Sequence, residues 1–83
     1  MKKKIAILGS TGSIGKTLLN IISKDKKHFE IIFLSTNKNY KELFKQAKLF
    51  NVKNLVVVNK NSFIRLNKIN KNNNFNIYNN FDS

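Results

Sequence analysis

Three short, wholly apolar runs punctuate an otherwise polar chain: Ile5-Ala6-Ile7-Leu8, Ile31-Ile32-Phe33-Leu34 and Leu55-Val56-Val57-Val58. None alternates apolar with polar positions, so each reads as a strand buried on both faces of a sheet. The runs end in small or polar residues, Gly9-Ser10, Ser35-Thr36 and Asn59-Lys60. Their starts lie about 25 residues apart, the length of one strand-plus-helix unit. The intervals carry helical periodicity. Ile14, Leu18, Ile21 and Ile22 share one face of a helix from about Ser13 to Ser23, and Tyr40, Leu43, Phe44, Ala47 and Phe50 share one face of a second. Asn39 is placed to cap that second helix, with Glu42 three residues on, as in a capping box. A weaker helical pattern spans Ser62 to Lys68, Asn67 to Asn74 reads as an Asn- and Lys-rich loop, and Phe75-Asn76-Ile77-Tyr78 is a candidate fourth strand.

The order β-α-β-α-β, continuing α-β, predicts an α/β fold: a Rossmann-like parallel sheet of three to four strands with right-handed crossover helices. Such a sheet needs helices on both faces, and 83 residues do not supply them. The expectation is one truncated domain, whether a fragment of a longer protein, a truncated gene or a decayed copy.

Between the first strand and the first helix lies Gly9-Ser10-Thr11-Gly12-Ser13-Ile14-Gly15. Its Gly-x-x-Gly-x-x-Gly spacing is a variant of the dinucleotide fingerprint. Gly9 serves the tight turn, Gly12 leaves the backbone open to a diphosphate, and Gly15 permits close helix–strand packing. The helix start offers amide N–H groups from about Gly12 to Ile14 and the positive end of its dipole, while Thr11 and Ser13 add hydroxyls. A turn that merely joins strand to helix is the plainer alternative, but the position after a strand and before a helix is the context that confirms the motif. Gly15-Lys16-Thr17 resembles the tail of a P-loop, but no glycine stands five positions before Gly15, so Lys16 reads as a solvated helix residue.

Enzymes that use NAD place an acid about 20 residues beyond this motif to bind the ribose 2′-hydroxyl. Here that region reads Leu34-Ser35-Thr36-Asn37-Lys38-Asn39, with no acid. Ser35, Thr36, Asn37 and Asn39 can donate hydrogen bonds and Lys38 supplies a cation, so the sequence favours NADPH.

Composition changes this picture little. The formal net charge is +12, from 16 Lys and Arg against 4 Asp and Glu. A basic nucleic-acid-binding module is one reading of that charge. The lysines are dispersed along the chain, however, and Arg65 is the one arginine, whereas base readout favours arginine. The expectation is therefore no nucleic acid, with the charge attracting anionic ligands. No apolar run approaches the roughly 18 residues of a membrane span, so no membrane partner is expected. The chain has no cysteine, which fits a cytoplasmic location. His28 lies in a charged loop, and Asp25, Glu30, Glu42 and Asp82 lack metal-site spacing. No catalytic constellation and no metal ligand set is expected within the chain.

Residues 4–15, Lys4-Ile5-Ala6-Ile7-Leu8-Gly9-Ser10-Thr11-Gly12-Ser13-Ile14-Gly15, resemble the opening of the 1-deoxy-D-xylulose 5-phosphate reductoisomerase family. The likeness continues through His28-Phe29-Glu30, Leu34-Ser35, Lys38-Asn39, Leu43, Gln46, Phe50 and Val56-Val57-Val58, covering about residues 2 to 60. It implies an enzyme of the non-mevalonate isoprenoid pathway that rearranges and reduces 1-deoxy-D-xylulose 5-phosphate with NADPH and a divalent metal, Mg or Mn. By match to the family motif, Thr11, Gly12, Ser13 and Ile14 would bind the diphosphate region, and Lys38 and Asn39 would bind near the 2′-phosphate. Asn37 stands in the same cofactor loop, where the family has glycine. The resemblance also implies a phosphorylated-sugar substrate and a homodimer for the full-length protein, with substrate and metal residues beyond position 83. Another NADP-dependent Rossmann reductase remains open as an alternative to this family.

Overall fold

The computed structural model describes residues 2–71 and 74–81. The elements run β1 (Lys3–Ile7), α1 (Ser13–Ser23), β2 (Phe29–Thr36), α2 (Tyr40–Phe50), β3 (Asn54–Val57), α3 (Lys60–Ile69) and β4 (Asn76–Tyr78). All neighbouring strands pair in parallel, in the spatial order β1-β2-β3-β4. The α/β, Rossmann-like sheet and its four strands thus follow the hydrophobic pattern.

Strand order dictates the layering. Right-handed crossovers that always step to the next strand in the same direction put every helix on the same face. Leu19 and Ile22 of α1, Leu43 and Ala47 of α2 and Leu66 of α3 accordingly share one core with Ile7, Ile31, Leu34, Leu55 and Val57. The expectation of strands buried on both faces therefore fails. Ala6 and Val58 are exposed, Leu8 leaves the strand and is 65% exposed, and Ile32 is exposed as well. Of the three apolar runs, only the third keeps three consecutive buried residues, Leu55, Val56 and Val57. The register slips between Ile5 and Ala6, which pair with Ile31 and Phe33, so Ile32 is an extra residue in β2. That bulge lets Ile31 and Leu34, three positions apart, both reach the core.

The first helix also departs from expectation. Its buried residues are Gly15, Leu19 and Ile22, whereas Ile14, Leu18 and Ile21 are exposed. Apolar residues spread over nearly half of its circumference, wider than the stripe that is buried, and periodicity alone cannot choose which part faces the sheet. The third helix starts two residues before Ser62, because Asn59 caps it through a 3.0 Å bond from the Ser62 N–H to Asn59 Oδ1. It ends at Ile69, so part of the stretch read as a loop is helical; residues 72 and 73 lie outside the described residues.

Candidate dinucleotide site

The carboxyl ends of β1, β2 and β3 form one rim, where an open parallel sheet takes its ligands. The rim is tied together crosswise. The Ser10 N–H donates to Ser35 O at 2.9 Å, Val58 N–H to Thr36 O at 3.1 Å and Asn59 N–H to Asn37 O at 2.9 Å. The turn after β1 therefore sits beside the loop after β2, which brings the two sequence-predicted halves of the site together.

Each glycine has a distinct geometric reason. Gly9 has φ +68°, the left-handed region in which a side chain is strained. At Gly15 a Cβ would stand 2.5 Å from Gly9 O and 2.6 Å from Ser10 Cα, both immovable backbone, so the glycine sets how closely α1 meets the turn. A Cβ on Gly12 would meet only Gly9 O, at an ordinary 3.4 Å. Packing does not demand glycine there, which leaves an exposed backbone surface open to a ligand.

The helix start holds unpaired donors, though not all those expected. The Gly12 N–H donates to Gly9 O at 3.0 Å and is engaged. No side chain caps α1. The N–H groups of Ser13 and Ile14 have no intramolecular acceptor among the described residues, and both residues are exposed. Together with the dipole of an 11-residue helix they make an end of the kind that suits an anion. Thr11 is half-buried, with its hydroxyl 2.6 Å from that of Thr36.

The loop after β2 divides into inward and outward residues. Ser35 and Thr36, read from sequence as ligand donors, are buried. Ser35 Oγ accepts from the Gly9 N–H at 3.0 Å, and Thr36 pairs with Thr11. They brace the turn rather than face a ligand. Asn37, Lys38 and Asn39 are exposed. Asn37 has no positive φ, so the backbone does not require glycine at this position. Asn39 caps α2, its Oδ1 accepting from the Glu42 N–H at 3.4 Å, which leaves its amide N–H₂ available.

Several groups lie elsewhere. His28 pairs with Asp25 at 2.5 Å in the exposed loop before β2. A cavity of about 440 Å³ opens at the amino ends of the strands between Lys2, Lys26, Phe29, Glu30 and Phe50, and does not coincide with the rim. Among the described residues no group of three or more His, Asp or Glu converges to hold a metal, and no helix is long and apolar enough to cross a membrane. The site residue that sequence reasoning missed is Gln46, noted only as a point of resemblance. It is buried and donates from Nε2 to Ser10 O at 3.0 Å.

Comparison with known proteins agrees with this geometry. The model of the 1-deoxy-D-xylulose 5-phosphate reductoisomerase family matches residues 5–82. The reductoisomerase of Pelagibacter ubique strain HTCC1062 is 59% identical over 81 residues, covering 98% of this chain and 21% of that protein. The structure of the Zymomonas mobilis reductoisomerase in complex with NADPH superposes with a TM-score of 0.85 at 27% identity, covering 94% of this chain and 21% of that one. A further reductoisomerase structure, with NADPH, fosmidomycin and magnesium, has a TM-score of 0.84 at 24% identity over 92% of this chain and 19% of that one, and supports the fold. The chain spans about a fifth of the length of these relatives. Of the readings that the sequence left open, these findings select one: the chain belongs to the 1-deoxy-D-xylulose 5-phosphate reductoisomerase family.

Proposed function

We propose that this chain is the NADPH-binding segment of a reductoisomerase that converts 1-deoxy-D-xylulose 5-phosphate to 2-C-methyl-D-erythritol 4-phosphate. Residues 1–83 would form the N-terminal part of the cofactor domain, with catalytic and C-terminal domains supplied by other parts of the polypeptide. The observation that carries the reading is the rim itself: an uncapped helix start follows a turn hydrogen-bonded to the end of β2, and the exposed Asn37-Lys38-Asn39 loop that leaves β2 contains no acid. Thr11, Gly12, Ser13 and Ile14 would hold the diphosphate, through the Ser13 and Ile14 N–H groups and the open surface at Gly12. Lys38, with Asn37 and Asn39, would hold the 2′-phosphate. When bound, NADPH supplies the hydride for the reduction. The residues of this chain bind and orient it. A divalent metal does not fit the described residues, so no step is assigned to one here. Metal binding, a phosphorylated-sugar substrate, a homodimer and a cytoplasmic location belong to the proposal for the full-length enzyme.

Calorimetric titration tests the cofactor. NADPH should bind more tightly than NADH, and equal or tighter NADH binding overturns the reading. Lys38→Ala should narrow that preference about tenfold or more, since a charge-assisted hydrogen bond contributes roughly 1.5–3 kcal/mol. An equal loss for both cofactors would make Lys38 a solvated surface charge only.

A further inference from the structure

We infer that Gln46 is a positioning residue that turns the Thr11 N–H toward the cofactor diphosphate by holding the Ser10 carbonyl inward. The inference rests on the cofactor reading given above. Gln46 belongs to α2, yet its amide crosses to the turn after β1, where Nε2 donates to Ser10 O at 3.0 Å across 36 residues of sequence. Ser10 is fully buried and held on its other side by β2: its N–H donates to Ser35 O at 2.9 Å and its hydroxyl donates to the same oxygen at 3.3 Å. The preceding residue is fixed too, by the Gly9 N–H donating to Ser35 Oγ.

The consequence follows from peptide geometry. The Ser10 carbonyl and the Thr11 N–H belong to one planar trans peptide unit and point in opposite directions. Drawing the carbonyl into the protein directs that N–H outward. The Thr11 N–H has no intramolecular acceptor among the described residues. With the Gly12 N–H engaged by Gly9 O, the outward donors of the turn are those of Thr11, Ser13 and Ile14.

The other half of the Gln46 amide shows that packing does not explain the residue. Its Oε1 is buried with no hydrogen-bond partner among the described residues. An unbranched apolar side chain would fill the same volume without stranding an oxygen, and a stranded acceptor is destabilising. What glutamine adds is the one bond to Ser10.

The test compares three ligands on the wild-type chain and on Gln46→Met, which keeps length and volume but has no donor. NADPH and NADH carry the diphosphate, whereas adenosine 2′-monophosphate carries the 2′-phosphate without it. The expected result is a roughly tenfold or greater rise in Kd for both dinucleotides, no change for the monophosphate, and a melting temperature that holds or rises. Unchanged dinucleotide affinity in Gln46→Met overturns the inference, as does a parallel loss for all three ligands with a lower melting temperature, the mark of a purely structural residue. If the wild-type chain binds neither dinucleotide, the cofactor reading fails first and takes the inference with it.

Discussion

At the scale of single residues, the turn after β1 separates what holds the fold from what is open to a ligand. Gly12 and Gly15 are three positions apart in one motif, yet the space around them differs sharply. Gly15 faces backbone at 2.5 and 2.6 Å, which cannot move aside as the tip of a side chain can. Gly12 faces the outside. Gly15→Ala should therefore cost about 1–3 kcal/mol through overpacking, read as a lower urea midpoint with an unchanged slope. Gly12→Val should leave that midpoint nearly in place and abolish binding of both dinucleotides. The reverse pattern would mean that the two glycines have exchanged roles. The motif was legible in sequence because glycine spacing is a direct signature of this turn. The inward bracing by Ser35, Thr36 and Gln46 was not, because it depends on which way side chains point from a strand end and a neighbouring helix. Small polar residues at a strand's end look alike whether they meet a ligand or a neighbouring turn.

At the scale of elements, the order of strands and helices was readable because each apolar run is short, unbroken and bounded by small or polar residues. The capping residues marked helix starts with equal clarity where they were sought: Asn39 caps α2 as its spacing to Glu42 indicated. The same logic applied to Asn59 and Ser62 would have found the true start of α3. Orientation was the weaker point. Ile14, Leu18 and Ile21 are no less apolar than Leu19 and Ile22, and only the demand that Gly15 touch the turn rotates α1 so that Leu19 and Ile22 face the core. This separates two substitutions on one helix. Leu19→Ala should cost about 2–5 kcal/mol, as loss of a buried leucine does, a large share of the stability of so small a domain. Ile21→Ala, at a position 56% exposed, should stay within about 0.5 kcal/mol. Chemical denaturation followed by circular dichroism distinguishes them, and equal losses would show that both stripes are packed.

At the scale of the whole molecule, charge acts on folding and binding in opposite directions. The formal net charge of +12 lies on 83 residues, and Lys2 before β1, Lys3 and Lys4 in it, and Lys24, Lys26 and Lys27 after α1 are exposed. Among the described residues the one close contact between a basic and an acidic side chain is the His28–Asp25 hydrogen bond and no lysine pairs with a carboxylate, so lysine–lysine repulsion is largely uncompensated by close pairing. Self-repulsion at high net charge destabilises the compact state, while the same field draws in an anion such as NADPH and speeds its association. Salt screens both effects, with a Debye length that falls from about 30 Å at 0.01 M to about 8 Å at 0.15 M. Raising sodium chloride across that range should therefore raise the melting temperature while weakening NADPH binding and slowing its association. NADH, which lacks the 2′-phosphate, should lose less affinity than NADPH over the same range. Thermal melts and stopped-flow fluorescence on one protein preparation give both trends. If salt strengthens folding but leaves NADPH binding untouched, the lysines act only on the fold, and the cofactor is held by the amide groups of the turn without help from the field.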